Sequence, residues 1–164
     1  MKFTYIILLT FLSCLTSSVY SQNQKPKLVI GIVVDQMRYD YLYRYYDKYG
    51  EGGFKRLLNQ GFNCRNAHYN YIPTETGPGH ASIYTGTSPA YHGIVANTWF
   101  ENGKSVYCAE DNAHKIVGSE TGKGNNSPKN MLVTTLGDQL KLATAGKAKV
   151  FGISLKDRSA VMPG

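Results

Sequence analysis

The sequence has 164 residues, of which 42% are hydrophobic and 18% charged, and its formal net charge is +7 at pH 7. This length suits a single domain of modest size. The lysines and arginines are scattered and form no dense basic stripe, so the composition argues against a nucleic-acid binder and supports an anionic small-molecule partner only weakly.

The first 21 residues predict a secretory signal peptide. Lys2 supplies a positive charge, residues 3–15 are largely apolar, and small residues follow at Val19 and Ser21, which is typical of a cleaved signal. The apolar run is shorter than the roughly 20 residues needed to cross a bilayer core, so we expect no stable membrane span. We expect cleavage after Ser21 and export to the periplasm or the medium. A retained membrane anchor and a lipoprotein signal acylated at Cys14 are the alternatives.

The remaining cysteines are Cys64 and Cys108. An oxidising compartment permits a disulfide between them, and two buried free thiols are the alternative. Nothing in the sequence has the spacing of a thiolate zinc site.

The first predicted element is a buried strand at residues 28–34, Leu-Val-Ile-Gly-Ile-Val-Val. A run that is apolar on both faces is typical of a central strand of a parallel sheet. Asp35 follows at its carboxyl end, the edge at which open α/β sheets bind ligands. Tyrosines recurring at i+4 then predict a helix over residues 38–49 whose aromatic stripe serves packing.

The middle of the chain alternates short elements with turns. We expect a helix over residues 54–59 that ends at Gly61, then an extended segment over residues 62–71. The turn-forming run at residues 73–80 leads into a helix that includes residues 81–85. Residues 101–129 are polar and glycine-rich, which predicts a surface excursion.

The last part of the chain predicts one more helix and one more strand. Serine followed by proline at residues 127–128 is a good helix start, and Gly146 is the expected end. Residues 149–155 form a second apolar run, with Lys156 and Arg158 just beyond it. This order of elements predicts an α/β domain with a mainly parallel central sheet flanked by helices.

Asp35, Thr76 and the Lys156/Arg158 pair each have an ordinary structural explanation, as a helix cap, a turn former and solvated loop charges. Together they indicate phosphate chemistry. Thr76 places a hydroxyl at a helix start, where free backbone N–H groups favour a phosphate, and the glycines at 77 and 79 allow close approach. A threonine needs a base or a metal to become nucleophilic, and the Asp35 carboxylate is a suitable metal ligand.

Three sequence blocks occur in an order that resembles a known family. They are Val-Val-Asp-Gln-Met-Arg at residues 33–38, Pro-Thr-Glu-Thr-Gly-Pro-Gly-His-Ala-Ser at 73–82, and His-Gly-Ile-Val-Ala-Asn at 92–97. The chain thereby resembles the alkaline phosphatase superfamily and, within it, the type I phosphodiesterase/nucleotide pyrophosphatase group. In that group it is most similar to the phosphate-irrepressible alkaline phosphatases, which are secreted monoesterases.

The resemblance implies a role for each matching residue. Asp35 is expected to bind one of a pair of zinc ions, and Thr76 to coordinate the other and attack phosphorus, giving a phosphothreonine. Asn97 is expected to donate a hydrogen bond to a non-bridging phosphoryl oxygen. Lys156 and Arg158 match the pair that binds the extra charged oxygens of a monoester.

The resemblance also implies that residues 22–164 are the N-terminal part of a catalytic domain. The family's remaining zinc ligands come later in its chains, and no match to them precedes Gly164. We therefore expect an incomplete chain that is inactive alone, with small-molecule phosphate esters as substrates of the complete protein and an open oligomeric state. His80 and His92 lie inside the matching blocks and are interpreted as structural.

Three alternatives differ in activity. A phosphodiesterase or nucleotide pyrophosphatase of the same family is the nearest, but Lys156 and Arg158 favour a monoester because a diester has fewer charged oxygens. A sulfatase is disfavoured, since Thr76 cannot be converted to the aldehyde that this branch uses. An inactive phosphate-binding fragment is the alternative outside catalysis.

Overall fold

The structure is a computed structural model that describes residues 26–118 and 124–164. The predicted signal peptide lies outside the described residues. The chain divides into two units, residues 1–34 and 35–164. The described part of the first unit, residues 26–34, has no regular helix or strand, and Leu28, Ile30 and Ile32 are exposed.

The second unit begins with short helical pieces where one longer helix was predicted. Helix α1 spans Tyr41–Arg44, and a 3₁₀ turn spans Tyr46–Lys48. The interruption is at Tyr45, whose φ of −109° and ψ of 14° leave the helical range. The ring of Tyr45 packs on that of Tyr41, with centroids 5.4 Å apart. Helix α2, Gly53–Gln60, agrees with the prediction to within one residue at each end, and Gly61 follows it.

Two helices follow the turn-forming run. Helix α3 spans Thr76–Thr85, and helix α4 spans Pro89–His92. Each ends at a glycine with positive φ, 69° at Gly86 and 81° at Gly93, a conformation that glycine adopts without a steric cost. Helix α3 starts five positions before the residues 81–85 given by the sequence pattern, so Thr76 belongs to its first turn.

A β-hairpin lies where the sequence predicted a polar excursion. Strand β1, Thr98–Glu101, pairs antiparallel with strand β2, Lys104–Tyr107. Asn102 and Gly103 connect them with φ values of 49° and 75°, the left-handed conformations that a two-residue hairpin turn requires. The Asn-Gly pair was therefore the sequence signal for this hairpin.

Helix α5, Leu136–Ala143, begins later than the serine-proline pair predicted. Thr135 caps it, because its hydroxyl accepts from the Asp138 N–H at 3.1 Å while the Asp138 carboxylate accepts from the Thr135 N–H at 2.8 Å. This reciprocal pair is a capping box. The Ser127 hydroxyl donates to Asp111 and accepts from the Lys129 N–H at 3.3 Å, but only a turn follows it and not a helix. Helix α6 spans Asp157–Val161.

The core of the second unit is small and joins the hairpin to helices α3 and α6. Its fully buried residues are Ala81, Ile94, Cys108, Ala109 and Met162, with Trp99, Tyr107, Met131 and Val161 packed partly buried against them. Tyr107 ends strand β2 and Val161 ends helix α6, so this packing brings the end of the hairpin beside the helix that carries Arg158.

The predicted parallel sheet is absent from the part of the chain that the structure describes, which contains one two-stranded antiparallel sheet. Residues 28–34 and 149–155 are not strands, and no backbone–backbone hydrogen bond of the described chain involves residues 149–155. Phe151 and Ile153 are exposed. A strand exists only through ladder bonds to a neighbour, which apolar composition alone does not provide. Among the described residues, none of the helices has the length and apolar character to span a membrane.

Candidate functional site

Thr76 is the first residue of helix α3 and is 7% exposed. The preceding residue, Glu75, has extended backbone angles and does not cap the helix with its side chain. Its carboxylate instead accepts from the Asn97 N–H at 2.6 Å. Glu75 thus ties the start of the helix to the segment before strand β1, a role that the sequence pattern did not indicate.

The Thr76 hydroxyl lies beside a carboxylate and an ammonium group that are hydrogen-bonded to each other. Its hydroxyl donates to Asp35 Oδ2 at 3.2 Å, and Lys156 Nζ donates to the same carboxylate oxygen at 2.5 Å. Lys156 Nζ is also 3.5 Å from Thr76 Oγ1. Three residues predicted from separate segments of the sequence are therefore mutual neighbours.

The charges in this group support one another. The Lys156 ammonium, hydrogen-bonded to the carboxylate, holds the pKa of Asp35 below its usual value, although partial burial opposes this. Asp35 therefore stays ionised at neutral pH and remains an acceptor or a metal ligand. The nearby positive charge of Lys156 also favours an anionic form of the Thr76 hydroxyl or a bound anion.

Asn97 approaches the same helix start from the other side. Its Oδ1 accepts from the Gly77 N–H at 2.7 Å. Because a backbone N–H only donates, the amide oxygen must face Gly77, which leaves the Asn97 NH₂ group to donate elsewhere. The expected hydrogen-bond donor of Asn97 is thus available.

Gly77 makes this close approach possible. A Cβ at this position would lie 3.1 Å from both Asn97 Oδ1 and Cys108 Sγ, which is tighter than ordinary van der Waals contact. At Gly79, by contrast, an added Cβ would meet nothing within 4 Å, so no contact within the described chain requires glycine there.

Arg158 does not share the immediate partners of Lys156. Its Nη1 donates to the Tyr107 hydroxyl at 3.0 Å and lies 3.8 Å from Asp157 Oδ1. Its Nε is buried and has no hydrogen-bond partner among the described residues. A buried donor without an acceptor is unfavourable by about 1–3 kcal/mol. Since Nε has essentially no accessible surface, a ligand would reach the guanidinium at its terminal nitrogens.

His92 belongs to a chain of hydrogen bonds behind the site. Its Nδ1 accepts from the Ile94 N–H at 3.1 Å, so the proton of the neutral ring is on Nε2, which is 2.9 Å from Ser82 Oγ. Ser82 donates to the Tyr71 hydroxyl at 2.7 Å, and Tyr71 donates to the Pro78 carbonyl at 3.1 Å. Burial lowers the pKa of His92 and keeps it neutral. This chain fastens the first turn of helix α3.

His80 and the two cysteines also have structural contacts. His80 Nδ1 hydrogen-bonds the Thr76 carbonyl at 2.8 Å. Cys64 is exposed and Cys108 is buried, and both are free thiols. The disulfide considered from the sequence is therefore not present. Burial raises the pKa of Cys108 to about 11, which keeps the thiol protonated and unreactive.

Metal ligands are few in this chain. Within residues 26–118 and 124–164 there is no group of three or more histidine, cysteine, aspartate or glutamate side chains that could hold a metal ion. Asp35 and Thr76 offer adjacent oxygen donors, which suit part of a zinc coordination shell, but zinc takes about four ligands.

Comparison with known proteins identifies the family. The sequence profile of the type I phosphodiesterase / nucleotide pyrophosphatase family matches residues 29–154. Alkaline phosphatase PhoV of Synechococcus elongatus is 54% identical over 150 residues, covering 90% of this chain and 27% of the relative. Alkaline phosphatase PafA of Elizabethkingia meningoseptica is 55% identical over 142 residues, covering 85% of this chain and 26% of the relative.

A solved structure agrees with these relatives. The crystal structure of a PafA variant with one threonine, one asparagine, one lysine and one arginine substituted matches with a TM-score of 0.82 and 52% identity, covering 85% of this chain and 28% of that one. The described chain thus shares an alkaline-phosphatase-like α/β fold, and it spans about a quarter of the length of the relatives that it matches. The chain belongs to the type I phosphodiesterase/nucleotide pyrophosphatase family of the alkaline phosphatase superfamily.

Proposed function

We propose that this chain is part of a zinc-dependent alkaline phosphatase that hydrolyses phosphate monoesters through a phosphothreonine intermediate. The observation that carries the proposal is the Thr76 hydroxyl, placed at a helix start within 3.2 Å of Asp35 and 3.5 Å of Lys156. A nucleophile needs such an arrangement of a helix N-terminus and fixed charges to receive a phosphate. The alkaline phosphatase names of relatives at 54% and 55% identity support it.

The proposed reaction has two displacements at phosphorus. Thr76 Oγ loses its proton to solvent and forms a bond to phosphorus while the bond to the ester oxygen breaks, and the departing oxygen takes a proton from water. Water then cleaves the phosphothreonine, which restores the hydroxyl and releases inorganic phosphate. Asn97 donates its free NH₂ to one phosphoryl oxygen, and Lys156 and Arg158 neutralise the others. Fixed donors of this kind act mainly on the charge that the transferring group carries.

Zinc is the proposed cofactor, as a pair of ions. Asp35 would bind one ion and Thr76 the other, with the remaining ligands supplied from outside residues 1–164. When bound, zinc supplies Lewis acidity that lowers the pKa of the nucleophile and stabilises the leaving oxygen. The low pKa of Asp35 keeps its carboxylate in the ionised form that a metal requires.

The published PafA variant supports the residue assignments. Its substituted threonine and asparagine are 21 positions apart, and its lysine and arginine are 2 apart. The separations from Thr76 to Asn97 and from Lys156 to Arg158 are the same. The substitution of four residues of the same types, in the same order and with these two separations, points to the same set of functional residues here.

Residues 22–164 are, on this proposal, the N-terminal part of the catalytic domain, and residues 1–21 direct its export. The exposed apolar runs at residues 28–34 and 149–155 are proposed as strands of a mainly parallel sheet that forms in the complete domain. The exposure of Phe151 and Ile153, at 78% and 95%, supports this, because such side chains are normally covered.

The test uses the enzyme produced from the complete reading frame and loaded with zinc. Wild type, Thr76→Ala and Thr76→Ser are compared for hydrolysis of an aryl phosphate monoester and of an aryl methyl phosphate diester, and for covalent labelling by a ³²P-labelled monoester. We expect faster monoester hydrolysis, labelling in wild type and none in Thr76→Ala. Labelling that persists in Thr76→Ala contradicts the nucleophile, and faster diester hydrolysis contradicts the substrate class.

A further inference from the structure

Arg158 is held by a network of side chains that the sequence pattern did not indicate. Its Nη1 donates to the Tyr107 hydroxyl at 3.0 Å, and the Tyr107 hydroxyl donates to Asp157 Oδ1 at 2.6 Å. Asn126 Nδ2 donates to the other oxygen of Asp157 at 2.9 Å. The network joins the end of strand β2 to the first turn of helix α6.

The chemistry of these groups permits a single proton arrangement. A guanidinium only donates and a carboxylate only accepts. The Tyr107 oxygen must therefore accept from Arg158, and its single proton must go to Asp157. The Tyr107 hydroxyl both accepts and donates, so it connects the cation to the carboxylate.

The network engages one side of the guanidinium and leaves another free. Nη1 is used by Tyr107, whereas Nε is buried and has no partner in the described chain. Because Nε has essentially no accessible surface, an oxygen of a bound ligand would reach the guanidinium at a terminal nitrogen. The Arg158 side chain is only 21% exposed. Its orientation is therefore set largely by the surrounding protein, including the hydrogen bond to Tyr107.

We propose that Tyr107 is a positioning residue that directs Arg158 toward the second charged oxygen of a phosphate monoester and so contributes to the preference for monoesters over diesters. The inference rests on the proposed function and deepens it. Asp157 acts through Tyr107 by accepting its proton, and Asn126 holds Asp157. Tyr107 itself does not touch the reacting atoms.

A double-mutant cycle tests this proposal in the complete, zinc-loaded enzyme. Wild type, Tyr107→Phe, Arg158→Ala and the double variant are compared by kcat/KM for an aryl phosphate and an aryl methyl phosphate, and by inhibition with inorganic phosphate. We expect Tyr107→Phe to reduce monoester kcat/KM about tenfold more than diester kcat/KM, and to weaken phosphate inhibition similarly. In the Arg158→Ala background, the same substitution should change neither quantity by more than about twofold.

The controls separate positioning from general damage. Tyr107→Phe removes one oxygen and preserves the ring, so the core packing is retained. Tyr46→Phe is the matched control, since its hydroxyl donates to Asn59 at 3.3 Å on the surface, and it should match wild type. The proposal is overturned if Tyr107→Phe reduces kcat/KM equally for both substrates. It is also overturned if Tyr107→Phe causes the same loss of monoester kcat/KM in the Arg158→Ala background as in wild type. A wild-type enzyme without monoester activity instead overturns the proposed function, and this inference with it, before any variant is compared.

Discussion

Replacing Gly77 with alanine tests the close approach between helix α3 and Asn97. The new Cβ would lie 3.1 Å from Asn97 Oδ1 and from Cys108 Sγ, and the neighbours would have to move by a few tenths of an ångström. Alanine is favoured over glycine in a helix by about 1 kcal/mol, while overpacking costs about 1–3 kcal/mol. We expect the free energy of unfolding to stay level or to fall by up to about 2 kcal/mol.

Gly79→Ala is the matched control in the same helix. Its Cβ would meet nothing within 4 Å, so the helix preference acts unopposed and should raise stability by about 0.5–1 kcal/mol. The two variants should therefore differ by about 1–3 kcal/mol in urea denaturation. This comparison cancels the change in helix preference that both substitutions share.

Activity provides the second measurement for the same pair. Because Gly77→Ala displaces the Asn97 amide, kcat/KM for a monoester should fall about tenfold, whereas Gly79→Ala should remain within about twofold of wild type. The reasoning is refuted if Gly77→Ala stabilises the protein as much as Gly79→Ala and leaves kcat/KM unchanged.

Three further predictions concern charge, buried hydrogen bonds and thiol reactivity. The pKa of Asp35 is lowered in the native state mainly by Lys156, so its stabilising contribution is present above the ordinary value of 3.8 and is lost as the pH falls through the lowered native pKa. Lys156→Met should flatten the acid limb of stability against pH measured by urea denaturation, and an unchanged limb contradicts the assigned cause. Ser82→Ala removes the hydroxyl that lies 2.9 Å from His92 Nε2 and should lower the free energy of unfolding by about 1–3 kcal/mol. Thermal unfolding identical to that of wild type would contradict the contribution of this hydrogen bond to stability. With a pKa of about 11, Cys108 should resist a thiol reagent at pH 8 until the protein is denatured. Peptide mapping distinguishes it from the exposed Cys64, and rapid labelling of Cys108 itself in the native protein would contradict the prediction.

The candidate site residues could be selected from the sequence because local sequence carries their chemical character. Thr76 lies in a turn-forming run at a helix start, and Asp35, Lys156 and Arg158 each follow an apolar segment. The tertiary structure brings Asp35, Thr76 and Lys156 together, with side-chain hydrogen-bonding atoms within 3.5 Å of one another. Arg158 has separate partners, Tyr107 and Asp157, which no spacing in the sequence indicated.

The secondary structure was likewise predictable from local sequence in some elements and dependent on tertiary contacts in others. Composition identified helices α2 and α3, whose boundaries depend on nearby glycines and turn residues, and the Asn-Gly pair could have identified the hairpin. The start of helix α5 depended instead on Thr135, which forms the capping box, whereas the Ser127 hydroxyl accepts from the Lys129 N–H in a turn that does not continue as a helix. The apolar runs at residues 28–34 and 149–155 carry strand-like composition, but a strand also needs a hydrogen-bonded neighbour. The sequence by itself thus determined which residues are candidates for the chemistry. The tertiary structure decided which of them meet, because hydrogen bonds and ladders depend on partners distant in the chain.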